Sequence, residues 1–255
     1  MKIGLVGLAG SGKTTVFNAV TGLDAPVGGM GGDRTKPNLG VTKVPDPRVD
    51  RLTEMYQPKK TIHAEVTFVD LPGKMPGAGG DGGLDPAAVQ HIRDMDALAL
   101  VVRGFDNPAL TASTDPVRDL GSLEDELLLT DLIVAERRID RLRREQNKGP
   151  EMQAMERCLA GLEEGLPLRL VDLSPEDLKQ ISGYGFLTRK PALALLNASE
   201  AAAGDDAPEA FASLAQQHGT PVLAMSGQVE AEITSLDDPD DQAAFLEDLG
   251  LADSA

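Results

Sequence analysis

Apolar positions fall into short blocks with two different periods. KIGLV (2–6), IHAEVTFVD (62–70), ALALVVRGF (97–105), PALALLN (191–197) and PVLAMS (221–226) are apolar runs bounded by polar or glycine-rich segments. Mainly apolar runs of this length predict strands of a mainly parallel sheet. Between them the period changes. Lys13 to Val20 reads as a helix, and DPAAVQHIRDM (85–95) as another, with Asp85 at the cap and Pro86 in the first turn. Strands alternating with helices predict an α/β sheet with helices on both faces. The segment 23–40, rich in Gly, Pro, Asp and Asn, reads as a mobile loop.

The middle of the chain departs from that rhythm. Leu128, Leu132, Ala135, Ile139 and Leu142 recur at spacings of four and three, as do Met152, Met155, Leu159, Leu162 and Leu166. NKGP (147–150) separates the two series and is a turn by composition. Two heptad-like helices joined by a tight turn predict an antiparallel helical hairpin inserted between two strands. It either packs on the sheet domain or projects as an arm. Ser174 followed by Pro175 predicts one more short helix.

Three motifs carry chemistry. GLAGSGKT (7–14) matches G-x-x-x-x-G-K-[ST], follows a predicted strand and opens a predicted helix. Its backbone N–H groups, with the helix N-terminus, suit a phosphate chain. Ala9, Gly10, Ser11, Gly12 and Thr15 belong to the cradle. Lys13 bridges β- and γ-phosphates, and Thr14 offers a hydroxyl to Mg²⁺. DLPG (70–73) closes a strand 57 residues after Lys13. There Asp70 supports the metal and the Gly73 N–H meets the γ-phosphate. Lys13, Asp70 and Gly73 are the catalytic candidates. NASE (197–200) follows a buried strand, where Asn197 and Glu200 are placed to read a base, and Ser226, Gly227 and Gln228 end the last strand beside it. GTPases finish this corner with Asp, which accepts from guanine N1–H and the 2-amino group. Glu200 is one methylene longer, which misplaces that clamp. Thr35 reads equally as a third metal ligand or as a plain loop residue.

The stretches GLVGLAGSGKTTVFNAVTG, VPDPRVDRL, PKK, VTFVDLPG, IRDMDALALVVRGF, NASE and SGQVEAEITSLDDPDDQAAFLEDLGL together resemble the Obg-like ATPases of the YchF type, from Lys2 to about Leu251. The resemblance implies a P-loop G domain (1–118 and 185–236), an inserted helical coiled coil (119–184) and a C-terminal helical stub (237–255). The family's TGS domain lies beyond this chain, and the expectation is a truncated form. It also implies slow hydrolysis with ATP preferred over GTP, Mg²⁺ as cofactor, adenine read by Asn197 and Glu200, and nucleotide-controlled ribosome association. Two readings stand beside it: a nucleotide-gated ribosome-binding module with negligible hydrolysis, and a true GTPase of the same fold. Two positions depart from the family. Gly10 stands where members carry an Asn tied to K⁺, so K⁺ activation is not expected. Lys74 follows the D-x-x-G glycine in place of an apolar residue.

Charge changes the picture in one place. The 255-residue chain has a net charge of −17, which disfavours RNA binding over its whole surface. Arg137, Arg138, Arg141, Arg143, Arg144 and Lys148 nevertheless gather near the hairpin tip. They read either as a solvated face with pairs such as Asp140–Arg144, or, with the family, as a contact to large-subunit rRNA. His63, His91 and His218 lack metal-ligand spacing. The single cysteine, Cys158, suits a reducing cytoplasm and reads as a helix-face residue or a redox sensor. No run approaches a membrane span, and a monomer is expected.

Overall fold

The computed structural model describes residues 1–27, 37–71, 86–108, 110, 113–236 and 238–251. Six strands form one sheet: β1 (Lys2–Val6), β2 (Asn38–Val44), β3 (Ala64–Asp70), β4 (Ala97–Gly104), β5 (Ala192–Ala198) and β6 (Val222–Met225). Their spatial order is β2-β3-β1-β4-β5-β6. Every pair is parallel except β2 with β3. The five strands expected from apolar runs are the five parallel ones.

β2 corrects the reading of 23–40 as loop throughout, because the strand begins at Asn38. Its alternation is inverted. Leu39 and Val41 face solvent, while Gly40 and Thr42 face α1 (Lys13–Thr21). A Cβ on Gly40 would stand 2.5 Å from the Thr21 methyl, and Thr42 Oγ1 donates to Val20 O at 2.7 Å. Close approach of α1 thus selects small and polar residues on the inner side. α2 (Pro47–Tyr56) links β2 to β3 and buries none of its residues. α3 (Pro86–Arg93) precedes β4.

The sheet carries a hydrophobic layer on each face. One gathers Leu98, Leu100, Val102, Leu196 and Phe211, and the other Leu5, Val16, Phe17, Val101 and Leu195. Adjacent positions of β4 serve opposite layers, as the period of two requires. Burial of such side chains contributes roughly 1.5–3 kcal/mol each.

α4 (Pro116–Arg144) is 29 residues long and serves two clusters. Leu120, Leu123 and Leu127 pack into the sheet layer. Leu128, Ala135, Ile139 and Leu142 pack with Met152, Met155, Cys158 and Leu162 of α5 (Pro150–Glu163) and with Ile181 of α6 (Pro175–Ile181). Leu132 and Leu159 are partly buried, and Leu166 is exposed, so the heptad series ends at Leu162. Ser174 caps α6 in a reciprocal capping box with Asp177. Cys158 is fully buried, and burial pushes its thiol up to about 11, which removes the thiolate a redox sensor requires.

Two buried polar clamps fasten this helical layer to the sheet. Asp131 of α4 accepts from Leu187 N (2.9 Å), Thr188 N (2.7 Å) and Thr188 Oγ1 (2.7 Å). Arg169 donates to Glu124 Oε1 (2.6 Å), His218 O (2.8 Å) and Thr220 Oγ1 (3.0 Å). A buried carboxylate is tolerated when donors reach it: Asp131 accepts on both oxygens, and Glu124 accepts from Arg169 and Thr220 on Oε1. α7 (Glu209–Gln217), α8 (Gly227–Ser235) and α9 (Pro239–Asp248) complete the chain. Among the described residues no helix is long and apolar enough to cross a membrane.

Candidate functional site

The glycine loop lies between β1 and α1, and each glycine that shapes it has a local cause. A Cβ on Gly7 would fall 2.3 Å from Val101 O. Gly10 and Gly12 have φ of 77° and 85°, in the left-handed region. At the first of these Asn is the other residue that adopts the conformation readily. Gly12 is the N-cap of α1, whose first turn carries no acidic residue. The unpaired N–H groups and the positive dipole end are therefore uncancelled. Ala9 and Gly10 are exposed at the crest of the loop, and Ser11 is buried at its base.

Lys13 is buried under the loop, with Nζ donating to Gly7 O (3.0 Å) and Leu8 O (2.9 Å). Burial lowers its pKa to about 8, against the opposing pull of Asp70. Thr14 Oγ1 donates to Asp70 Oδ2 at 2.8 Å, so the hydroxyl and carboxylate named for the metal lie together. Both are hard oxygen ligands, the donor type that Mg²⁺ takes, and the pair fits that ion. A third side chain joins them: Asn38 Nδ2 donates to the same Asp70 oxygen at 3.1 Å. Thr35, Gly73 and Lys74 lie outside the described residues.

Beside the loop, the C-terminal ends of three adjacent strands enclose a cavity of about 610 Å³. From β5 come Asn197, with Ala198, Ser199 and Glu200 following it; from the end of β6 come Ser226 and Gln228; and Thr15 of α1 closes the side toward the loop. The expected base-reading residues are thus brought together, next to the phosphate cradle. Asn197 does more than line the wall. Its Nδ2 donates to Ser11 O (3.0 Å) and its Oδ1 accepts from Gly227 N (2.9 Å), so it braces the glycine loop against the loop after β6. Glu200 is exposed, at the start of a short 3₁₀ turn. Sequence reasoning missed Gly104, Phe105, Asp106 and Thr114, which also line it. The signal for them was positional, since ligands of open α/β sheets bind outside the carboxyl ends of strands, and β4 ends at Gly104.

The profile of the family described as "50S ribosome-binding GTPase" matches residues 2–136. A ribosome-binding ATPase YchF from Pasteurella multocida is 34% identical over 259 residues, covering 98% of this chain and 71% of the relative. The chain belongs to the YchF-type Obg-like ATPase family. Its Bacillus subtilis relative of the same description is 32% identical over 263 residues, covering 98% of this chain and 72% of its own. Obg-like ATPase 1 of Oryza sativa subsp. indica is 35% identical over 209 residues, 78% of this chain and 53% of that protein. Among solved structures, the Schizosaccharomyces pombe YchF GTPase superposes with a TM-score of 0.80 at 28% identity, covering 98% of this chain and 71% of that one. Membership makes the chain a P-loop nucleoside-triphosphatase family protein with the fold expected from the sequence. The relatives' names divide between ATPase and GTPase.

The hairpin tip resolves the basic cluster into two groups. Arg138 is half-buried and pairs with Glu151 at 2.7 Å, under the Tyr184 ring. That carboxylate holds the guanidinium's pKa above its ordinary value. Arg141 pairs with Glu145. Asp140 pairs with Arg143 at 3.9 Å, which corrects the expected Asp140–Arg144 pair. Arg137, Arg144 and Lys148 are exposed and make no ion pair among the described residues.

Proposed function

We propose that this chain is a slow, Mg²⁺-dependent nucleoside triphosphatase that prefers ATP to GTP and uses its nucleotide state to control association with ribosomes. The observation that carries the reading is the continuity of the glycine loop, through Thr15, with the cavity holding Asn197 and Glu200. Lys13 and the loop N–H groups of residues 9–14 hold phosphates. Thr14 and Asp70 hold Mg²⁺, which supplies charge neutralisation at the phosphates when bound. Thr35 and Gly73 complete the phosphate side. Glu200 at the cavity mouth accepts from the base, with Ser226, Gly227 and Gln228 forming its backbone edge. Its extra methylene relative to Asp supports adenine.

Low turnover is supported by the hydrogen bonds that Asp70 already accepts. The carboxylate at the loop is committed to Thr14 and Asn38 rather than poised for proton transfer. Catalysis then rests on positioning and charge. The domain arrangement proposed is a G domain (1–118, 185–236), an inserted hairpin (119–184) and a terminal helical segment (237–255), with the first turns of α4 packed in the sheet layer. Ribosome contact is assigned to Arg137, Arg144 and Lys148 at the hairpin tip, supported by the relatives' names and by the absence of intramolecular partners for these cations among the described residues. The protein would act as a cytoplasmic monomer.

Titration with a fluorescent ATP analogue tests the reading. Wild-type protein should bind in Mg²⁺, and Lys13→Ala should lose most of that affinity. Normal binding by Lys13→Ala would overturn the assignment.

A further inference from the structure

Asp70 accepts two hydrogen bonds on one oxygen, from Thr14 Oγ1 and from Asn38 Nδ2. The second is set by sheet register. β2 is the antiparallel edge strand, and Asn38, its first residue, lies directly across from Asp70, the last residue of β3. Cross-strand neighbours stand within side-chain reach. A slip of one residue would turn the amide to the other face of the sheet.

The chemistry of the donor matters. Asp70 is buried at 6% exposure. A buried carboxylate whose oxygen accepts two hydrogen bonds is held in one orientation. Lys or Arg at position 38 would supply them but would also cancel the charge a cation requires. A neutral amide orients the carboxylate through a hydrogen bond without placing a second cation beside the metal. Partners of metal-holding carboxylates commonly work in this way.

We infer that Asn38 is a positioning residue for the metal site, fixing the Asp70 carboxylate for Mg²⁺ through the first cross-strand pair of the sheet edge. The inference rests on the nucleotide–Mg²⁺ reading above.

The test is nucleotide affinity measured across a Mg²⁺ titration and in chelator, for wild type, Asn38→Ala and Asn38→Leu. Leu keeps the bulk of the side chain and removes the donor. Both variants should need about tenfold more Mg²⁺ for half-maximal binding, with affinity in chelator unchanged. A wild-type Mg²⁺ requirement in both variants would overturn the inference. So would recovery by Leu of what Ala loses, since bulk rather than the donor would then matter, and so would an equal loss in chelator. Wild-type binding that ignores Mg²⁺ would instead remove the nucleotide–Mg²⁺ reading itself, and this inference with it.

Discussion

Gly12 and Asn197 are fitted to one another across 185 residues of chain: a Cβ on Gly12 would stand 2.1 Å from Asn197 Nδ2. The same amide spans Ser11 O and Gly227 N. The glycine loop and the loop after β6 are therefore joined through one side chain that has no room beside it. Gly12→Ala meets both this contact and a φ of 85°. It should cost about 1–3 kcal/mol of stability and abolish nucleotide binding. Chemical denaturation and a nucleotide titration check the two effects, and a stable variant that binds would show that the fit is loose.

Lys13 carries a pH signature. Its pKa in the free protein is lowered from 10.5 to about 8, mainly by burial. Phosphate contact favours the ammonium and raises the pKa, so binding should take up a proton near and above pH 8, and affinity should fall as pH rises through that range. Calorimetry in buffers of different ionisation enthalpy reads the uptake directly. For the free protein the sign is opposite. Between pH 8 and 10.5 the unfolded chain holds more protons at this site than the folded one, so stability attributable to Lys13 rises with pH. Comparison with Lys13→Met isolates that contribution.

Asp131 should be a stability residue with no role in base choice. Asp131→Ala leaves the buried Leu187 and Thr188 N–H groups without their acceptor. The loss should be about 3 kcal/mol, read by urea unfolding, with the ATP-to-GTP affinity ratio unchanged. A loss well below 1 kcal/mol would mean that water or a shifted backbone replaces the carboxylate.

At the hairpin tip, charge and structure separate. Arg144→Glu with Lys148→Glu should weaken ribosome binding and reduce its salt dependence by about two counterions, with the melting temperature unchanged. Arg138→Ala should instead cost about 0.5–1 kcal/mol of stability, because its guanidinium is held by Glu151. Sedimentation with ribosomes at several salt concentrations separates the two.

Much of this was legible in the sequence because its signals are local. The glycine loop, the strand-end Asp70 and the NASE corner each declare themselves within eight residues or fewer, and the five parallel strands are short, mainly apolar runs. β2 was not legible, because Gly40 and Thr42 occupy its inner face while Leu39 and Val41 face solvent. Its pattern points the wrong way, for a reason held by α1. Glu124 and Asp131 were equally hidden. Each is a charge on a long helix, and its partner lies 45 to 57 residues away. Asn38 was hidden because its contact with Asp70 depends on register, and register is visible only once β2 is known to pair with β3.

The central claim is that the corner of Asn197 and Glu200 selects adenine. Competition of ATP against GTP in Mg²⁺, for wild type and Glu200→Asp, tests it most directly. Glu200 is exposed, so shortening it should leave the fold intact. The expected result is that ATP displaces GTP from wild type and not the reverse, while Glu200→Asp shifts the ratio toward GTP. GTP outcompeting ATP on the wild-type protein would contradict the account and make the chain a GTPase of the same fold.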